Sequence, residues 1–143
     1  MMPTEWMIRP ATGADDLVAI WRGVYEADHV PLLPEGVQAP FEPRGEAHVA
    51  HVEGLIIGFC YVDNDWLDEA WIVKPWQGRG VGTALIGYAE GLMRRRGIDQ
   101  ASLSVWGANK RAVALYRRLG WVELRTFIST TNAQTYIRMT KKL

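Results

Sequence analysis

The chain has 143 residues with 16 basic and 16 acidic side chains, so no global field favours nucleic acid or an anionic membrane. Apolar residues make up 48% and charged residues 22%, the composition of one ordinary folded domain, 1–143, with a core that needs no staples. The single cysteine, Cys60, excludes an internal disulfide and supplies no metal spacing. The first residues lack a basic region followed by an apolar run, and no stretch reaches the ~18 apolar residues of a membrane span. A cytoplasmic location is the resulting expectation.

In chain order, Trp6–Pro10 alternates weakly and predicts a first strand. Leu17, Ile20, Trp21, Val24 and Tyr25 recur at helical spacing, which predicts a helix capped by Thr12 or Asp15 and ending near Asp28. From His29 to Arg44 the composition changes, with Pro31, Pro34, Pro40 and Pro43 beside Gly36. A loop of this length in a small domain is commonly functional, and it is expected to form a wall of a substrate site. Ala47–Val52 and Leu55–Val62 predict a hairpin turning at Glu53-Gly54. Asp63-Asn64-Asp65 then leads into Leu67–Val73, so three strands form a meander.

Lys74-Pro75 stops that third strand, because proline brings no N–H to a ladder. From Val81 the apolar positions Ala84, Leu85, Tyr88, Ala89, Leu92 and Met93 predict a helix ended by Gly97. Ala101–Trp106 reads as a strand, and Asn109 opens a short helix with Ala112, Leu115, Tyr116 and Leu119 on one face and Gly120 as terminator. Trp121–Phe127 and Thr135–Met139 predict a closing hairpin. The order β-α-loop-β-β-β-α-β-α-β-β defines an α/β sheet with helices on its faces.

Between the third meander strand and its helix lies Gln77-Gly78-Arg79-Gly80-Val81-Gly82-Thr83. A glycine-rich turn opening a helix aims free N–H groups and the positive dipole end at one anion, most naturally a phosphate. Two nucleotide readings fail. A P-loop needs lysine after its last glycine, whereas Thr83-Ala84 follows Gly82. The dinucleotide fingerprint needs a third glycine where Thr83 or Leu85 stands. Gln77-x-x-Gly80-x-Gly82, after a strand ending Val73-x-Pro75, instead resembles the acyl-CoA signature of the GNAT N-acetyltransferase superfamily. Leu103-x-Val105, Asn109, Ala112, Tyr116 and Gly120-Trp121 resemble the family's second signature, with Trp121 in place of the usual Phe. The matches span Leu67 to Trp121; the N-terminal third carries none.

The resemblance implies a mixed, mostly antiparallel central sheet flanked by helices. It implies acetyl-CoA as co-substrate, held at the pyrophosphate by the amides from Gly78 through Arg79, Gly80, Val81 and Gly82 to Thr83. Gln77, Ile72, Val73, Asn109, Ala112 and Tyr116 are the other expected cofactor contacts. Val73 would offer its backbone N–H to the thioester carbonyl. Tyr116 would protonate the departing thiolate; the plain reading of the same residue is a core tyrosine on an apolar stripe. Asn109 serves equally as a helix N-cap. Glu69, by the two-residue strand period, shares a face with Trp71 and Val73 and is a candidate base, either directly or through water; Asp68 is expected on the opposite face.

The reading that follows is transfer of acetyl from acetyl-CoA to a primary amine by direct attack in a ternary complex. The alternative is a non-catalytic acyl-CoA-binding or regulatory module on the same fold. No metal, covalent intermediate, nucleic acid or membrane partner is implied. The acceptor is open between small molecule and protein, and the assembly between monomer and homodimer. Arg94-Arg95-Arg96 reads as a solvated helix end complementing the dipole, since no aromatic residues interleave with it. His29, His48 and His51 are too scattered for a metal site, and one of them could line the acceptor pocket.

Overall fold

A computed structural model describes residues 5–13, 15–37 and 41–143, with only the backbone at Glu69. The strands are β1 (Met7–Pro10), β2 (Glu46–Val52), β3 (Leu55–Asp63), β4 (Trp66–Ile72), β5 (Gln100–Trp106), β6 (Val122–Ile128) and β7 (Thr135–Lys142). The α-helices are α1 (Leu17–Val24), α2 (Val81–Arg95) and α3 (Lys110–Arg118). They occur in the predicted order. The seven strands form one sheet in the order β1-β2-β3-β4-β5-β7-β6. Each neighbouring pair is antiparallel except β4–β5, and the sheet is mixed as expected.

That parallel pair meets at one ladder position, Trp66↔Ser102, before the strands part. The reason lies partly in β4. Cys60 faces Ala70 and the next residue of β3, Tyr61, faces Asp68, so β4 carries one extra residue at 69. A bulge bends its strand and sharpens the twist, which turns β4 away from β5. The sheet is therefore forked beside the glycine turn.

Two apolar clusters cover its faces. On one, α2 and α3 bury Val81, Leu85, Ala89, Met93, Val113 and Tyr116 against Ile57, Leu67, Leu103 and Val105. On the other, α1 packs Leu17, Val24 and Tyr25 on Val49, Phe59 and Trp71. Glu90 of α2 is buried and ion-paired with Lys141 of β7 at 2.6 Å, which ties the helix to the far half of the sheet. Among the described residues no helix is long and apolar enough to cross a membrane, and no group of three metal-ligating side chains gathers.

Two local expectations change. The cap of α1 is Asp16, whose carboxylate accepts the Ala19 N–H at 3.1 Å. Asp15 is instead spent on Arg9 and on the Thr12 N–H. The helical path does not stop at Asp28: a π-helical turn, Tyr25–His29, and a 3₁₀ turn, Val30–Leu32, carry it into the proline-rich stretch. Pro31 is compatible because it sits at the start of that 3₁₀ turn, where no N–H is required. Pro40 lies outside the described residues.

Gly45, entering β2, has φ +88°, and a Cβ there would sit 2.1 Å from the Val62 carbonyl oxygen. Gly45→Ala must therefore move backbone, beyond the ~1–2 kcal/mol of the left-handed conformation itself. We expect thermal unfolding by circular dichroism to fall by roughly 5–10 °C. Gly54→Ala, also left-handed but in open space, should lose clearly less; equal losses would refute the steric account.

Candidate active site

The turn after β4 is built by its glycines. Lys74–Trp76 makes a 3₁₀ turn after β4, and Gly78 (φ +74°) and Gly80 (φ +88°) then hold left-handed backbone that L side chains resist. Gly80 is the N-cap of α2, with no side-chain cap and no acidic residue in the first turn. The first-turn amides have no partner within their own helix, and the space at Gly78 is open, with no atom within 4 Å of a Cβ position. The Arg79 guanidinium lies over the Trp76 ring, 5.0 Å from its centroid, and adds a cation beside the turn. Gly82 has other neighbours. A Cβ there would meet Leu115 Cδ2 at 3.5 Å and Ile72 Cγ1 at 3.8 Å, ordinary contacts, so a small side chain fits while a longer one meets α3 and β4.

Along β4 the amide expected to polarise a thioester is already engaged. The Val73 N–H donates to the Ile57 carbonyl at 3.0 Å and is not available. Antiparallel strands alternate their N–H and C=O groups, so the neighbouring Ile72 turns its groups toward the fork. Consistently, the Ile72 carbonyl accepts Gln77 Nε2 at 3.0 Å, away from β3.

Gln77 is a brace. Its Nε2 also donates to Asp28 at 2.7 Å, and its Oε1 accepts from Arg111 at 3.0 Å. Lys74 pairs with the same Asp28 at 2.9 Å. Burial pushes the Asp28 carboxyl up, but the hydrogen bonds from Gln77 and Lys74 outweigh it and hold its pKa below the ordinary value. The π-helical turn, the end of β4 and α3 are thus locked around the glycine turn. Asp28 was not singled out from the sequence, although a carboxylate in the last turn of a helix, opposing the dipole, was a legible signal.

The bulge changes the phase of β4. Asp68 pairs with Tyr61, and directly paired residues share a face, so Asp68 lies on the α1 side with Trp71. The expectation that it points away from Trp71 is overturned, because the extra residue breaks the two-residue period. The Asp68 carboxylate accepts the Arg44 N–H at 2.7 Å, and burial raises its pKa. Glu69 keeps its place in β4, while its side chain lies outside the described residues.

On the other face, Asn109 caps α3, its Oδ1 accepting the Ala112 N–H at 3.2 Å. Ala112 packs partly buried on the cluster that contains Tyr116. Tyr116 is 9% exposed, with its ring edge-on to Trp121 at 6.0 Å. Cys60 is fully buried, and burial pushes its thiol up to about 12, so it is no nucleophile near neutrality. A thiol reagent such as DTNB should leave it unmodified in the folded chain; stoichiometric labelling without unfolding would contradict that burial. Arg94 and Arg96 pair with Glu90 and Glu46.

The α1 side of the fork is aromatic. Trp21 stacks between Tyr25 (4.8 Å) and Phe41 (5.1 Å) and meets Trp71 edge-on. His29 reaches both Trp71 of β4 (4.6 Å) and Trp106 of β5 (5.0 Å). Beyond it, Gly36 and Val37 face the β6–β7 turn, Thr130–Ala133, across an open cleft of about 340 Å³.

The mixed sheet is thus forked, with a glycine turn and helix at the end of the parting strand. The chain belongs to the acetyltransferase (GNAT) family, whose model matches residues 14–121. It is 32% identical over 97 residues to the thialysine N-epsilon-acetyltransferase of Bos taurus, covering 65% of this chain and 55% of that protein. The chain spans about half the length of the curated relatives it matches. Its fold is similar to the PaiA N-acetyltransferase of Thermoplasma acidophilum in complex with coenzyme A (TM-score 0.78, 17% identity, 97% and 99% of the two chains). It is also similar to a GNAT family acetyltransferase of Elizabethkingia anophelis with acetyl-CoA bound (TM-score 0.68, 15% identity, 96% and 98%).

Proposed function

We propose that this protein transfers the acetyl group of acetyl-CoA to a primary amine in a ternary complex. The observation that carries the reading is the fork: β4 leaves β5 beside a glycine turn with open space at Gly78. The pyrophosphate suits the amides from Gly78 to Thr83, and Arg79 adds charge there. The pantetheine arm, itself an amide chain, can pair with the unladdered edge of β4 as an added strand would. The thioester carbonyl then receives the Ile72 N–H, in place of the occupied Val73 N–H, as a modest oxyanion donor.

The amine must lose a proton before it attacks. Glu69, directly or through water, is one candidate base. The amine nitrogen bonds to the acetyl carbon, the C–S bond breaks, and Tyr116 gives its phenolic proton to the CoA thiolate. The phenolate is restored by the second proton on the new amide nitrogen, and the first leaves through the base to solvent. A phenol near pKa ~10 is a weaker acid than a thiol near ~8.5, so that transfer alone is uphill by roughly 2 kcal/mol and is drawn forward as the acidic proton on the new amide nitrogen restores the phenolate. No metal or covalent enzyme intermediate enters these steps.

The test is release of free thiol from acetyl-CoA across a panel of amines and peptides, with hydrolysis subtracted. Thialysine and lysine-like amines head the panel because of the relative that acts on thialysine. Thiol release with at least one amine is expected. Tight acetyl-CoA binding with no turnover on any acceptor would instead favour a binding module. The His29–Arg44 stretch is proposed to select the acceptor. Leu33 and Phe41 pack on the aromatic cluster, whereas Leu32 is 56% exposed. Leu32→Ala should raise the KM for the amine and leave acetyl-CoA affinity unchanged; the reverse pattern would discard the assignment.

A further inference from the structure

We propose that the His29 imidazole takes the proton from the acceptor's ammonium group, on the face of the sheet opposite Tyr116. This rests on the N-acetyltransferase reading above and goes beyond it by naming the group and the side from which the amine arrives. Trp71 belongs to the α1-side cluster, while its neighbour Ile72 packs on the other. On β5, Ala101, Leu103 and Val105 pack on the α2–α3 side, so Trp106 alternates to the α1 side. The two indoles thus stand on opposite lips of the fork on one face, and His29 spans them at 4.6 and 5.0 Å. Tyr116 is buried in the cluster on the other face. A thioester lying in the fork would present its carbonyl to an amine entering beside His29 and its sulfur toward α3.

His29 is also held in place. Its neighbour Asp28 is fastened to Lys74 and Gln77, and Gln77 to Ile72, so the turn carrying the imidazole is tied to the strand carrying the proposed oxyanion donor. The His29 ring makes no hydrogen bond to a described residue. Among the described residues, the charged group that acts on it is Asp28 on its own turn, bound to Lys74 and Gln77. Its contact from β5, Trp106, is neutral. Burial lowers the imidazole's pKa and Asp28 offsets this only in part, so the ring is neutral and receptive at physiological pH. The step balances: one ammonium proton moves to imidazole, the freed amine attacks, and the imidazolium returns that proton to solvent.

Two measurements on the full chain test it. In imidazole NMR, acetyl-CoA should shift the His29 ring signals, identified by their loss in His29→Gln, and leave those of His51 unchanged. In thiol-release assays, His29→Gln should lower kcat/KM for thialysine and butylamine, both ammonium ions at neutral pH, by ~10²–10⁴-fold. Hydroxylamine, already largely free base, should lose little, and added imidazole should restore His29→Ala. An equal loss with all three acceptors would make His29 a packing residue and overturn the proposal. So would the amine-selective loss appearing in Glu69→Gln and not in His29→Gln. A parent chain that fails to bind acetyl-CoA, or binds it and acetylates none of these amines, would overturn the underlying reading and this proposal with it.

Discussion

Tyr116→Phe is expected to lower kcat by ~10²–10⁴-fold, the usual worth of a general acid, with acetyl-CoA dissociation nearly constant. The ring is 9% exposed and packs edge-on against Trp121, and phenylalanine keeps that ring and its volume. What it removes is the proton offered to the thiolate. Pre-steady-state thiol release under conditions where chemistry limits is the measurement. A parent-like rate would leave Tyr116 as a core residue and return the proton to water. The burial already observed agrees with both roles, so the rate alone separates them.

The second large effect concerns the turn. Replacing Gly80 by Val forces a β-branched residue into φ +88° and redirects the amides that follow. The space there is nearly empty, with Trp6 Cη2 the nearest atom at 3.9 Å, so the fold should survive. Loss of one charge-assisted hydrogen bond to a diphosphate corresponds to roughly 10–100-fold in Kd. Calorimetric titration with CoA should read a change of that size while far-UV circular dichroism is retained. Unchanged affinity in a folded variant would remove the turn from the site. Gly82→Leu is the poorer probe: its side chain would wedge between α2, Leu115 and Ile72, so it should cost stability before it reports on binding.

The order of elements was readable because each depends on local chemistry. The apolar period of Val81–Met93, the stop at Pro75, the turn at Glu53-Gly54 and the N-cap at Asn109 involve residues within a few positions of one another. The glycine spacing from Gly78 to Gly82 was readable for the same reason, since a phosphate cradle is made by consecutive amides. The run from His29 into the proline-rich stretch was harder. Pro31 suggested a break, yet at the head of a 3₁₀ turn it breaks nothing.

Composition, element order and both family signatures were thus determined by the sequence itself. Tertiary structure decided which atoms of those elements are left to act. The extra residue in β4 is invisible to a two-residue period, yet it moves Asp68 to the face of Trp71 and turns the strand from β5. Whether an amide is free depends on its cross-strand partner: Ile57 occupies Val73, and nothing in either local sequence foretells that pairing. Gln77 became a brace because Asp28, 49 residues away, and Arg111, 34 away, converge on it. His29 reached the fork because β4 and β5, separated by a whole helix in the chain, carry Trp71 and Trp106 to the same side. Local spacing selects backbone conformation, whereas partnership between distant groups depends on how the packed sheet and helices align them.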